Sequence, residues 1–171
     1  IFLTFTFKLS AEVVQRLEVE GNKRISSETI KVYGEINLNE NYSNFDVDRI
    51  LQNLYKTNFF EDIQISLTNG ILNISVKEYS VINSIDLVGE KSNAIKTKVL
   101  KLLSLQEKES FIKNKLATDL ELLKKVYATI GFNFATIDAK IEKFDNNRIN
   151  LIYFLSKGKK TNIRKINFTG D

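Results

Sequence analysis

Catalysis in this 171-residue chain would have to rest on Asp, Glu, Lys, Ser, Thr or Tyr, because several other reactive types are absent. There is no His, Cys, Met, Trp or Pro. Without Cys there is no thiolate nucleophile, disulfide or thiolate metal site. Without His the usual general base and the commonest transition-metal ligand are missing. Glu61-Asp62 is an adjacent acidic pair. It stands where an alternating apolar run begins, and neighbouring strand residues face opposite sides, so the two would not share a site. Glu18 and Glu20 share one face of a strand and read as a solvated polar face. The chain shows no phosphate-binding glycine loop, metal-ligand spacing or nucleophile elbow. These residues predict a protein that is not an enzyme and uses no cofactor and no metal.

The chemistry that remains is that of the backbone. An edge strand offers unpaired N–H and C=O groups, and an extended peptide can add to it as a further strand. Two runs are candidates for protein binding of this kind: Ile63, Gln64, Ile65, Ser66 and Leu67, and Ile137, Asp138, Ala139, Lys140 and Ile141. If Gln64 and Ser66 turn their backbone outward, proline there removes donors from the edge.

The composition fits folded modules. Apolar residues make up 43% and charged residues 27%, and the length allows one domain or two small ones. The net charge is +4 and the sequence pI about 9.1. Lys, Ile and Asn are abundant together, as AT-rich coding would produce, and no dense basic cluster points to nucleic acid. The missing Met predicts that Ile1 is not the natural start. Ile1 to Phe7 is apolar, with Ser10 and Ala11 following, so residues 1–12 read as a signal-peptide remnant or an extra N-terminal strand.

The elements that must position the two runs are written twice. Leu17/Val19 before Gly21, Ile85/Leu87 before Gly89 and Ile166/Phe168 before Gly170 are three strand-then-glycine starts. After the first, Ser26-Ser27-Glu28 opens a short helix and Gly34 stops it. Residues 35–42 read as polar connection. Ser43 to Asp46 resembles a capping box, and Val47, Ile50, Leu51, Leu54 and Tyr55 form one apolar stripe. Asn58 suits a left-handed turn. Then Ile63, Ile65 and Leu67 alternate, Asn69-Gly70 favours a type I′ turn, and Leu72, Ile74 and Val76 alternate back. Leu67 should pair with Leu72, Ile65 with Ile74, and Ile63 with Val76.

The second copy predicts a helix from Asn93 to Leu103, then a second helix capped by Ser110 with a stripe at Ile112, Leu116, Leu120, Leu123, Tyr127 and Ile130. Gly131 stops it. A strand through Ile137, Ala139 and Ile141 leads to Asp145-Asn146-Asn147. The return strand, Ile149 to Leu155, is apolar on both alternations, which leaves its register open and suits a central strand. The fold class is α+β: tandem β-α-α-β-β modules, each a three-stranded mixed sheet covered on one face by two helices. The first strand can then run parallel to the last, leaving the middle strand of each module as an edge. The modules are placed at 13–79 and 80–159, and 160–171 starts a third.

LEVEGNKRISSETI, LYKTNFFEDIQI and NGILNISVKE together resemble the first POTRA domain of the BamA family of outer-membrane protein assembly factors. IDLVGE and IRKINFTG resemble the starts of the second and third. The likeness covers the chain after about Val13. Two positions depart from the pattern: Asn58 stands where the family commonly has Gly, and Ser80 where it often has Pro. The resemblance implies a periplasmic region of an outer-membrane protein in a Gram-negative bacterium, with no catalysis and no nucleic acid. Its partners would be unfolded outer-membrane proteins, accessory lipoproteins of the assembly complex, and the chain's own C-terminal membrane β-barrel beyond Asp171. The alternatives are a TamA-like translocation assembly protein or another periplasmic protein-binding scaffold. A distant one is an RNA-binding β-α-α-β module, whose GxxG loop and RNP aromatics are absent here.

Overall fold

The computed structural model describes residues 11–161. The leader or extra strand expected at Ile1 to Phe7 and the third module start at Ile163 to Asp171 lie outside the described residues. The chain divides between Tyr79 and Ser80 into two compact units.

In the first unit, β1 (Glu12–Val13) leads into β2 (Arg16–Glu20), α1 (Ser27–Tyr33), β3 (Asn41–Tyr42), α2 (Asn44–Lys56), β4 (Phe60–Thr68) and β5 (Ile71–Glu78). The sheet order is β2-β5-β4, with β2 parallel to β5 and β4 antiparallel to it. The expected hairpin register holds: Leu67 opposes Leu72, Ile65 opposes Ile74, and Ile63 opposes Val76. Asn69 and Gly70 have φ 51° and 76°, as a type I′ turn requires. Ser26 caps α1 by accepting from the Thr29 N–H, and Ser43 and Asp46 form the capping box of α2. Asn58 takes φ 56°, the left-handed turn expected of it. Gly34 ends α1 in ordinary helical geometry, and the left-handed residue is its neighbour Glu35, φ 54°.

Ile30, Ile50 and Leu54 from the helices pack on Leu72, Ile74, Val76 and Ile63 from the sheet. The other sheet face carries Arg16, Glu18, Asn73, Ser75, Gln64 and Ser66, so the helices cover one face.

Two features of this unit depart from the sequence reading. The connection after α1 contains β3, which pairs antiparallel with β1 (Glu12 with Tyr42, Val13 with Asn41). Tyr42 is buried, and its hydroxyl accepts the Asn37 N–H at 2.8 Å. Glu12, expected among the leader residues, is thus part of this unit, and its carboxylate also accepts the Gly70 N–H. Two-residue strands leave no alternation in a sequence, which is why the pair was illegible.

The second unit repeats the plan: β6 (Val81–Val88), α3 (Asn93–Leu100), α4 (Lys113–Thr129), β7 (Thr136–Phe144) and β8 (Arg148–Ser156), in sheet order β6-β8-β7. Again the first strand runs parallel to the last and the hairpin is antiparallel. Gly131 has φ 97°, matching the role of Asn58. Asn146 and Asn147 are both left-handed in the turn.

Two expectations are corrected here, and one open point is settled. Helix α3 ends at Leu100, one turn short of Leu103, and Leu102 projects outward at 58% exposure. Ser110 caps nothing: it bridges Val81, while the N-cap of α4 is Ile112, with no side-chain cap. The open register of β8 is fixed with Ile149, Leu151, Tyr153 and Leu155 buried and Phe154 on the opposite face at 42% exposure.

Candidate strand-addition edges

Among the described residues, strands β4 and β7 are edges, each paired on one side only. Which of their residues turn backbone groups outward follows from the ladder. In the two-residue hairpin the pair flanking the turn is hydrogen-bonded, here Thr68 with Ile71, and an antiparallel ladder alternates bonded and non-bonded pairs. Gln64 and Ser66 therefore direct N–H and C=O at β5, and Ile63, Ile65 and Leu67 direct theirs away. Two contacts agree. The Val76 carbonyl points at β2, where a Cβ on Gly21 would collide with it, so Val76 does not use it on Ile63. The Ile63 N–H donates instead to the Tyr55 hydroxyl on the outer side, 3.3 Å away.

The second unit has the same geometry. The Leu155 carbonyl lies against Gly89, directly after β6. Leu155, Tyr153 and Leu151 thus face β6, and their cross-strand partners Ile137, Ala139 and Ile141 present outward groups. Asp138 and Lys140 are bonded into β8.

Of the ten expected residues, six present edge backbone: Ile63, Ile65, Leu67, Ile137, Ala139 and Ile141. Gln64, Ser66, Asp138 and Lys140 contribute exposed side chains on the open sheet face and no outward backbone. Side-chain alternation says which face a residue occupies and is silent on which alternation carries the ladder bonds. For β4 the signal was there, because counting back from the Asn-Gly turn assigns the pairs. The three-residue turn of β7 gives no such count.

The opposite edges differ. On β6, the Ile82 N–H donates to the Glu109 carbonyl at 2.9 Å, and the Ile82 carbonyl accepts from the Lys108 N–H at 2.7 Å. Further along, the Ile85 N–H donates to Glu107 Oε1 at 3.0 Å, and the Leu87 N–H donates to Asp86 Oδ1 at 2.9 Å. This edge is closed by a loop and two carboxylates. On β2, the backbone groups of Leu17 and Val19 turn to the open edge while their side chains pack on the core, flanked by the charged Arg16, Glu18 and Glu20. Charge is a usual device against edge pairing. No helix of the described residues is long and apolar enough to cross a bilayer. Among the described residues, no group of three or more acids could hold a metal.

Sequence reasoning missed three buried carboxylates that hold the loops around these sheets. Glu78 Oε1, at the end of β5, accepts the N–H groups of Lys23, Arg24 and Ile25 at 2.8, 2.9 and 2.9 Å. Asp119, on α4, accepts the N–H groups of Ser104 and Leu105 at 2.7 and 3.0 Å. Glu90 accepts the Ser92 N–H, the Tyr127 hydroxyl and the Lys157 ammonium at 2.9, 2.9 and 2.8 Å. Burial alone would push the Glu90 carboxyl up. The bonds from Lys157, Ser92 and Tyr127, with the Lys157 charge, outweigh it and hold the group below the usual glutamate range. Burial, and then the neighbouring carboxylate, pushes the Tyr127 and Tyr153 phenols well above their usual range.

Residues 80–158 match the family model described as POTRA, a surface antigen variable number repeat. The outer membrane protein assembly factor BamA of Neisseria meningitidis serogroup B is 29% identical over 161 residues, 92% of this chain and 20% of that protein. BamA of Neorickettsia risticii is 23% identical over 171 residues, 100% of this chain and 23% of that protein. The chain thus spans about one fifth of the length of these curated relatives. Among solved structures, the N-terminal domain of Omp85 from the thermophilic cyanobacterium Thermosynechococcus elongatus aligns with TM-score 0.51 and 12% identity, over 92% of this chain and 74% of that one. It shares the fold.

Proposed function

We propose, from the premise that residues 80–158 are a POTRA domain and that curated relatives of the chain are BamA proteins, that this chain is the periplasmic POTRA region of an outer-membrane β-barrel assembly factor. In this reading β4 and β7 receive unfolded outer-membrane proteins by strand addition. The modules also dock accessory lipoproteins, and the chain continues into a membrane β-barrel after Asp171. The observation that carries the reading is the outward backbone of Ile65 and Leu67 on β4 and of Ile137, Ala139 and Ile141 on β7. None of these five N–H groups has a partner among the described residues. Main-chain bonding tolerates many client sequences, as an assembly factor requires, and two weak edges on one chain gain avidity through effective concentration.

The test is proline at outward positions. Ile65→Pro and Ala139→Pro remove an edge donor and leave the β4–β5 and β7–β8 bonds in place. Binding of an unfolded outer-membrane barrel protein, followed by fluorescence anisotropy, should fall in each variant and further in the double variant. Full binding by a double variant that keeps native circular dichroism would rule out addition at these edges.

A further inference from the structure

The Ile63 N–H is the one outward donor of β4 that already has a partner among the described residues. That partner, Tyr55, lies in the last turn of α2 and is 42% exposed. Its position is fixed by the helix end: the Thr57 hydroxyl donates to the Leu54 carbonyl at 2.6 Å, and Asn58 turns left-handed directly after. Counting back from Gly131 in the second unit, the matching residue of α4 is Ala128, which carries no group able to reach β7. The Ile137 N–H is correspondingly without a partner among the described residues.

We propose that Tyr55 is a specificity-determining gate on the β4 edge: its hydroxyl occupies the Ile63 N–H and confines an added extended polypeptide to Ile65 and Leu67, whereas β7 is open along its length. This rests on the strand-addition reading. The occupant is an extended segment of alternating apolar and polar residues, because its backbone must meet a ladder of period two. A segment that pairs as far as Ile63 displaces the hydroxyl into water and exchanges one hydrogen bond for another, so that last pairing adds little. With the hydroxyl gone, the same pairing adds one net bond, about a five-fold gain in affinity. The first module thus holds a short stretch and the second a longer one.

The chain has no cysteine, so Ser66→Cys gives a single thiol beside the edge. An eight-residue peptide of alternating valine and threonine with one cysteine, joined there by a disulfide, adds in a fixed register. Amide hydrogen exchange is then measured with Tyr55 and with Tyr55→Phe, and with Tyr55→Leu as a second variant. With Tyr55 present, the peptide should protect Ile65 and Leu67 and leave Ile63 unchanged. In Tyr55→Phe, Ile63 should exchange about five-fold faster without peptide and become protected when it is attached. Equal exchange of Ile63 in both backgrounds, or equal peptide protection of Ile63 in both, overturns the gate. Protection of Ile65 and Leu67 together with a response of Ile63 that ignores Tyr55 removes the gate and leaves strand addition standing. No protection at any of the three overturns both.

Discussion

Glu78 Oε1 lies 2.9 Å from the Ile25 N–H and also accepts the two preceding N–H groups, so one buried oxygen organises the turn between β2 and α1. The side chain is 1% exposed. Glu78→Ala would leave three donors without it in a place that water reaches poorly. The expected loss is about 3 kcal/mol. Urea unfolding of the variant checks it, and Glu78→Gln, which keeps an acceptor, should lose less.

Gly21 and Gly89 end the first strands of the two units with φ 80° and 98°. A Cβ at either would strike a carbonyl oxygen, that of Val76 or of Leu155. Alanine at either position should cost more than about 2 kcal/mol, because the backbone conformation and the contact are both unfavourable. Thermal unfolding of each variant measures this. Glycine at Gly34 has ordinary helical φ, and Gly34→Ala should cost less than either.

Lys157 and Glu90 set an acid limit on the second unit. The Glu90 carboxyl is depressed in the folded state, so its contribution is present above the unfolded glutamate value. It is lost as pH falls through the lowered folded value. Lys157→Met should destabilise the unit at neutral pH by about 1–3 kcal/mol and flatten the fall in stability below pH ~4.5. Urea midpoints from pH 3 to pH 7 test both parts, and an unchanged acid slope in the variant would count against the pair.

The register of β8 makes a prediction about neighbours. Leu151 is 0% exposed and Phe154 is 42% exposed. Leu151→Ala should cost about 2–5 kcal/mol, and Phe154→Ala clearly less despite the larger ring removed. A larger cost for Phe154→Ala than for Leu151→Ala would mean that the strand is turned the other way.

Proline scanning separates the two alternations of β4. Gln64→Pro removes a bond to Ser75 in the ladder and should unfold the first unit, whereas Ile65→Pro removes an outward N–H and should leave it folded. Circular dichroism of the two proteins distinguishes these outcomes.

The sequence by itself determined the elements whose cause is local. Alternation at Ile63, Ile65 and Leu67, the Asn69-Gly70 turn and the Ser43–Asp46 box each act over a few residues, and each stands in the structure as read. The parallel return of the first strand also followed, because two intervening helices permit it. Only the tertiary structure decided the rest. The short β1–β3 pair depends on residues nearly thirty positions apart and shows no periodicity. The register of β8 was undetermined because both alternations are apolar, and burial under α4 selected one. Helix α3 stops at Leu100 because the packing of Leu103 and Leu105, and the bonds that the Ser104 and Leu105 N–H groups donate to Asp119, turn the chain there. The division of each edge strand into outward and inward backbone depends on the partner strand. A hydrogen bond between strands is a property of two segments, and no single segment records which of its groups the other will take.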